Sequence, residues 1–258
     1  MIGDFGAAGF TYAPDATSLQ AIPPSTTKLL GLFSLSNMNV AKDKIDKRRN
    51  PGTPGVVDDY GFPDQPMLDE MTDKALQVLS KNHKGFVLMV EGASIDKQAH
   101  NMDSERWILD TIEFDHAVAK CKEFAESNSD TLVIVTADHE CAGINIIGGS
   151  RVTNAELIKR STSGAGVNAG GPRAGVVGAY DSAGFPYYPI SADGFPTTTD
   201  PDFKMLIGYA ASVDRHEDWL TNPLPIRDSQ QPFNGVPPLN TYPSGPTARD
   251  AAGGLFIA

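Results

Sequence analysis

The chain has 258 residues and a formal net charge of −11, with 40 % hydrophobic and 21 % charged residues, the balance of a globular protein. So acidic a surface repels phosphate backbones and argues against nucleic-acid binding. No apolar run approaches the ~20 residues of a membrane span. The two cysteines, Cys121 and Cys141, are too few to define a disulfide framework or a compartment.

Residues 1–28 are turn-rich, and Leu29–Phe33 reads as a short buried strand. Asn39–Asn50 is strongly charged and is expected to form a solvated helix face. After a Gly/Pro-rich loop over 50–65, a helix is expected from about Pro66. Asp69 and Glu70 suit the positive end of its dipole, and Leu68, Met71, Ala75, Leu76 and Leu79 recur at helical spacing. Gly85 is a plausible stop. Phe86–Val90 is apolar at every position, which predicts a strand covered on both faces. A helix follows over 104–127, with Ile108, Ile112, Ala117, Val118, Cys121, Phe124 and Ala125 on its core side. Leu132–Val135 is the next expected central strand, and strand, helix, strand at this length implies a right-handed crossover. Beyond Gly148 the texture is loop-rich. A short helix is expected over Asp202–Val213, Arg215–Asp218 reads as a surface helix, and Leu255–Ala258 reads as a strand interrupted.

The expected architecture is therefore α/β, with a central, mostly parallel sheet flanked by helices. Residues 1–148 form part of the core, 149–246 a loop-rich, crown-like insertion, and 247–258 the start of a return to the sheet. Ligands of such sheets bind outside the carboxyl ends of the strands, and both central strands end in chemistry. The first ends in Glu91, followed by Asp96 and His100, which a helical turn would place on one face. The second ends in Asp138 and His139. Mixed oxygen and nitrogen donors suit zinc, and a hard carboxylate such as Glu91 suits magnesium. The pattern points to two or three metals at one sheet edge, an arrangement suited to in-line displacement at phosphorus.

The run Val90-Glu91-Gly92-Ala93-Ser94-Ile95-Asp96-Lys97-Gln98-x-His100, followed by Asp130 to His139, closely resembles alkaline phosphatase of the bacterial type. The likeness extends upstream through Met71–Ala75 and Leu29–Phe33, over roughly residues 10–148. It implies that Asp96 and His100 bind one zinc, Asp138 and His139 a second, and Glu91 a magnesium, with Lys97 contacting phosphate. It implies hydrolysis of phosphate monoesters, releasing inorganic phosphate through a phosphoserine or phosphothreonine, in a periplasmic or secreted homodimer. The nucleophile and the phosphate-binding arginine of the family lie upstream of the Glu-Gly motif, and its last zinc ligand is a histidine near the C-terminus. Met1–Asp4 and Asp181-Ser182-Ala183 are read as chance matches to family motifs, and no histidine follows His216. Where some members have a histidine two positions after the Asp-His pair, this chain has Cys141. The expectation is an incomplete C-terminal half that lacks its nucleophile and has no useful turnover by itself. A metal-dependent sulfatase or phosphodiesterase, and a non-catalytic cation-binding protein, are the alternatives.

Overall fold

A computed structural model describes residues 2–52, 61–100, 103–141, 143–151, 183–199, 201–209 and 212–218. Most of the expected insertion, the Asp181-Ser182 pair and the Leu255–Ala258 terminus lie outside these residues. The described elements fall into two compact units. One contains the residues up to Ala93 together with Asp110–Thr136, and the other contains Ser94–Leu109 and most residues from Ala137 on.

In the first unit, helix α1 (Ile2–Ala7) precedes strand β1 (Thr11–Ala13), helix α2 (Ala16–Gln20) and strand β2 (Leu29–Gly31). β1 and β2 pair in parallel, with Thr11 opposite Leu29 and Ala13 opposite Gly31. Asp15 starts α2 by accepting the backbone N–H of Ser18 at 2.6 Å, which satisfies one of the orphan donors of a helix start. Ala13, Leu19, Ile22 and Phe33 close a small core, with Leu29, Met38 and Met71 packed against it.

Helices α3 (Ala41–Arg49) and α4 (Leu68–Leu79) begin at Val40 and Met67, neither of which offers a side-chain oxygen. The long helix α6 (Ser104–Ser127), which the sequence periodicity outlines over 104–127, supplies the missing acceptors. Asp110 Oδ1 accepts the Ala41 N–H at 2.8 Å, and Glu113 Oε1 accepts the Leu68 N–H at 2.9 Å. The two carboxylates are three residues apart and so share one face of α6. Glu113 also pairs with Lys44, whose Nζ donates to the Pro66 carbonyl at 3.3 Å. The charged α3 segment is therefore not the solvated face its composition suggests. Asp43, Lys44 and Ile45 are buried, because partners on α6 neutralise a charge that the local sequence cannot. Arg48 grips Glu70 through both terminal guanidinium nitrogens, at 3.0 and 2.7 Å, while Glu70 also accepts the Met67 N–H.

The two expected central strands depart from expectation. Among the described residues Phe86–Val90 and Leu132–Val135 carry no sheet pairing, so the mostly parallel central sheet and its crossover are not formed by them. Val87 is 95 % exposed, Met89 85 %, Leu132 82 % and Ile134 76 %, whereas Phe86, Leu88, Val90 and Val133 are half-buried. This alternation is the period-two pattern of an extended chain with one face covered. The cover includes α6, where Phe86 meets Phe124 edge to face at 5.8 Å between ring centroids. An open cleft of about 710 Å³ is lined by both segments together with residues of α4 and α6, and none of the six candidate site residues lines it.

The second unit holds helix α5 (Ala93–His100) from Ser94 on and the start of α6, where Asp103 accepts the N–H of Arg106 and pairs with its guanidinium at 3.0 Å. Strands β3 (Ile144–Ser150), β4 (Lys204–Tyr209) and β5 (Ser212–Asp218) form an antiparallel meander. Ile146 lies opposite Ile207, and Gly208 opposite His216. Where a helix is expected over Asp202–Val213, the described residues 204–209 and 212–213 are strand, and so is the Arg215–Asp218 run. Gly208 costs a helix interior about 1 kcal/mol, and Phe203, Ile207, Tyr209 and Val213 favour a pleated surface. Pairing on both sides of β4 decides the outcome and buries Leu206 and Ile207. No described helix is long and apolar enough to cross a membrane.

Candidate metal centre

Six residues were singled out by the sequence, and five of them fall in the second unit. Gln98 and Ala99 are buried and anchor α5, leaving Asp96 and His100 together on another face, with His100 Nε2 3.5 Å from Asp96 Oδ1. Lys97 is half-buried on the same helix. The segment after Ala137 brings His139 to this face, with its Nε2 3.9 Å from Asp96 Oδ1. Asp138 Oδ2 lies 3.4 Å from that nitrogen, although the side chain is 87 % exposed. Both carboxylates therefore approach a single imidazole nitrogen. Glu91 belongs to the first unit and is exposed.

A backbone contact orients the His139 ring. Nδ1 lies 3.2 Å from the carbonyl oxygen of Glu140. A carbonyl can only accept, so a ring that gives its Nε2 lone pair to a metal would keep its proton on Nδ1, toward Glu140. Orientation of an imidazole by a carbonyl on its far nitrogen is the usual support for a metal-binding histidine. The carboxylate of Asp138 is held in turn, since its Oδ1 accepts the His139 N–H at 3.0 Å.

Two further observations bear on whether a cation fits. Asp96 Oδ1 is shielded from solvent yet accepts no hydrogen bond, and a buried acceptor without a donor is costly. The Sγ of Cys141 also joins the group, for Asp96, His100 and Cys141 present donor atoms all within 4.8 Å of one another. Oxygen, nitrogen and sulfur donors together suit zinc. Sequence reasoning noted Cys141 only as a departure from the family pattern. Its position three residues after Asp138 was the available signal, but its closeness to α5 is a matter of tertiary structure.

The sequence profile of the family described as Alkaline phosphatase matches residues 1–183. The chain is similar to the alkaline phosphatase of Escherichia coli (strain K12), 43 % identical over 143 residues that make up 52 % of this chain and 30 % of that one. It is 37 % identical over 144 residues to the streptomycin-6-phosphate phosphatase of Streptomyces griseus, covering 52 % of this chain and 32 % of the relative. Each alignment spans about a third of the relative's own length. Among solved structures, the cold-active alkaline phosphatase of the psychrophile Shewanella sp. aligns at 28 % identity with a TM-score of 0.44, over 63 % of this chain and 39 % of that one.

Proposed function

Since the chain belongs to the alkaline phosphatase family, we propose that it carries the metal-binding part of a metal-dependent phosphomonoester hydrolase. The observation that carries this reading is the convergence of Asp96 and Asp138 on the Nε2 of His139, at 3.9 and 3.4 Å. In the proposal Asp96 and His100 hold one zinc, and Asp138 and His139 a second. Glu91 offers one hard oxygen to a magnesium ion, an assignment that rests on its place in the Glu-Gly motif. When bound, such ions polarise a phosphoryl oxygen and lower the pKa of an attacking or leaving oxygen.

The residues themselves do the positioning. Turn geometry on α5 sets Asp96 against His100, the Glu140 carbonyl fixes the His139 ring, and the His139 N–H fixes the Asp138 carboxylate. Lys97, adjacent to Asp96, supplies positive charge for a phosphate dianion. The hydroxyl that attacks phosphorus, and would carry the phosphoserine or phosphothreonine, comes from outside the motifs matched here, so low turnover is expected of this chain by itself. Family resemblance also favours a periplasmic or secreted homodimer.

A phosphate monoester is favoured over a sulfate ester or a phosphodiester by the Glu-Gly-Ala-Ser-Ile-Asp run and by the streptomycin-6-phosphate phosphatase similarity. The test compares hydrolysis of a phosphate monoester, a phosphodiester and a sulfate ester by the longest polypeptide carrying this sequence, with zinc and magnesium added. We expect monoester hydrolysis, lost at least 100-fold in Asp96→Asn and Asp138→Asn. Preferential cleavage of the sulfate ester or the diester, or monoester turnover indifferent to both substitutions, would refute the proposal.

A further inference from the structure

We propose that Cys141 is itself a metal ligand, completing an Asp96–His100–Cys141 zinc site with a thiolate. The inference rests on the zinc-binding reading above and adds to it a donor that the family motif does not assign. Donors placed 2.0–2.3 Å from a tetrahedral ion stand about 3.5 Å from one another. The three donor atoms already lie within 4.8 Å, so shifts of about 1 Å, within reach of side-chain rotation, would close the triangle.

The surrounding structure favours this use of the thiol. Asp96 and His100 are fixed on one helix, while Cys141 arrives on the segment that has just delivered His139 to the same carboxylate. Asp96 Oδ1 is shielded and accepts no hydrogen bond, as suits an oxygen whose partner is a cation. Three protein donors leave a fourth position open, the arrangement of zinc sites that do chemistry rather than only hold a fold. A thiolate also sets the selectivity, because sulfur discriminates against magnesium and calcium in favour of zinc. The other cysteine serves as an internal control: Cys121 lies on α6 in the first unit, and burial pushes its thiol pKa up, away from the thiolate form a metal needs.

The experiment loads the metal-free chain with cobalt(II) and reads sulfur-to-cobalt charge transfer in the near ultraviolet, with zinc affinity measured by competition against a chelator. The band should appear in the wild type and in Cys121→Ser. In Cys141→Ser it should vanish, with zinc bound about tenfold or more weakly. In the unmodified chain, zinc should slow alkylation of Cys141 about tenfold, with Cys121 as the reference, a measurement that needs no variant to fold. Cobalt bound without a sulfur band, or zinc that leaves Cys141 alkylation unchanged, would overturn the thiolate assignment while leaving a metal site in place. Failure of the wild type to bind cobalt or zinc at all would overturn both readings.

Discussion

At Asp110 the fold buries a carboxyl group beside Glu113, and desolvation first, then repulsion from Glu113, pushes its pKa up to about 8. The hydrogen bond from Ala41 and the charge of Lys44 act the other way and do not prevail. The folded chain thus keeps a proton that the unfolded chain releases near the ordinary value of 3.8. The stability contributed by Asp110 is fully present below that value and is lost as pH rises towards about 8. Asp110→Asn keeps an oxygen for the Ala41 N–H and removes the titration. It should raise the melting temperature by about 2–6 °C near neutral pH, with the gap to wild type widening from about pH 5 to about pH 8. A gap that stays flat across a pH series of thermal melts would show that Asp110 ionises normally. Nothing local to the sequence announces this residue. It reads as one more acid on an amphipathic helix, and only the α3 N-terminus 69 residues earlier explains its burial.

Among the elements, α4 and α6 were legible because their apolar residues recur at helical spacing over several turns, a signal that needs no partner. The depth at which α3 lies was not legible, since its charges are satisfied from α6. Glu113 carries most of that load, accepting from Leu68 and pairing with Lys44, both groups being buried. Glu113→Ala should cost about 3–5 kcal/mol, because it strands the Lys44 ammonium away from water. Denaturant titration measures this, and a loss below about 1 kcal/mol would mean that Lys44 finds water or another acceptor. Strands fared worse for a related reason. The apolar runs at 86–90 and 132–135 show which residues avoid water, but a strand exists only when a neighbour pairs with it. At β4 the converse holds, for partners on both sides override an apparent helical stretch.

At the scale of the whole molecule, one part of the candidate centre was legible, the closeness of Asp96 to His100. Helical spacing places Asp96 and His100 together without reference to the rest of the chain. The contribution of Cys141 depends on how the segment after Ala137 returns to α5, which no spacing rule encodes. The open stretches around Val87 and Ile134 bear on handling. Backbone amides and carbonyls not engaged in a sheet, flanked by exposed apolar side chains, are a template for cross-chain pairing, and a net charge of −11 opposes that only in part. Light scattering should therefore report particle mass rising with protein concentration, and Val87→Lys combined with Ile134→Lys should suppress the rise; a wild type of constant mass over a hundredfold dilution would contradict this. Colloidal history would then govern preparative yield: concentrated stocks would shed dispersed monomer on standing, and prompt dilution would restore it.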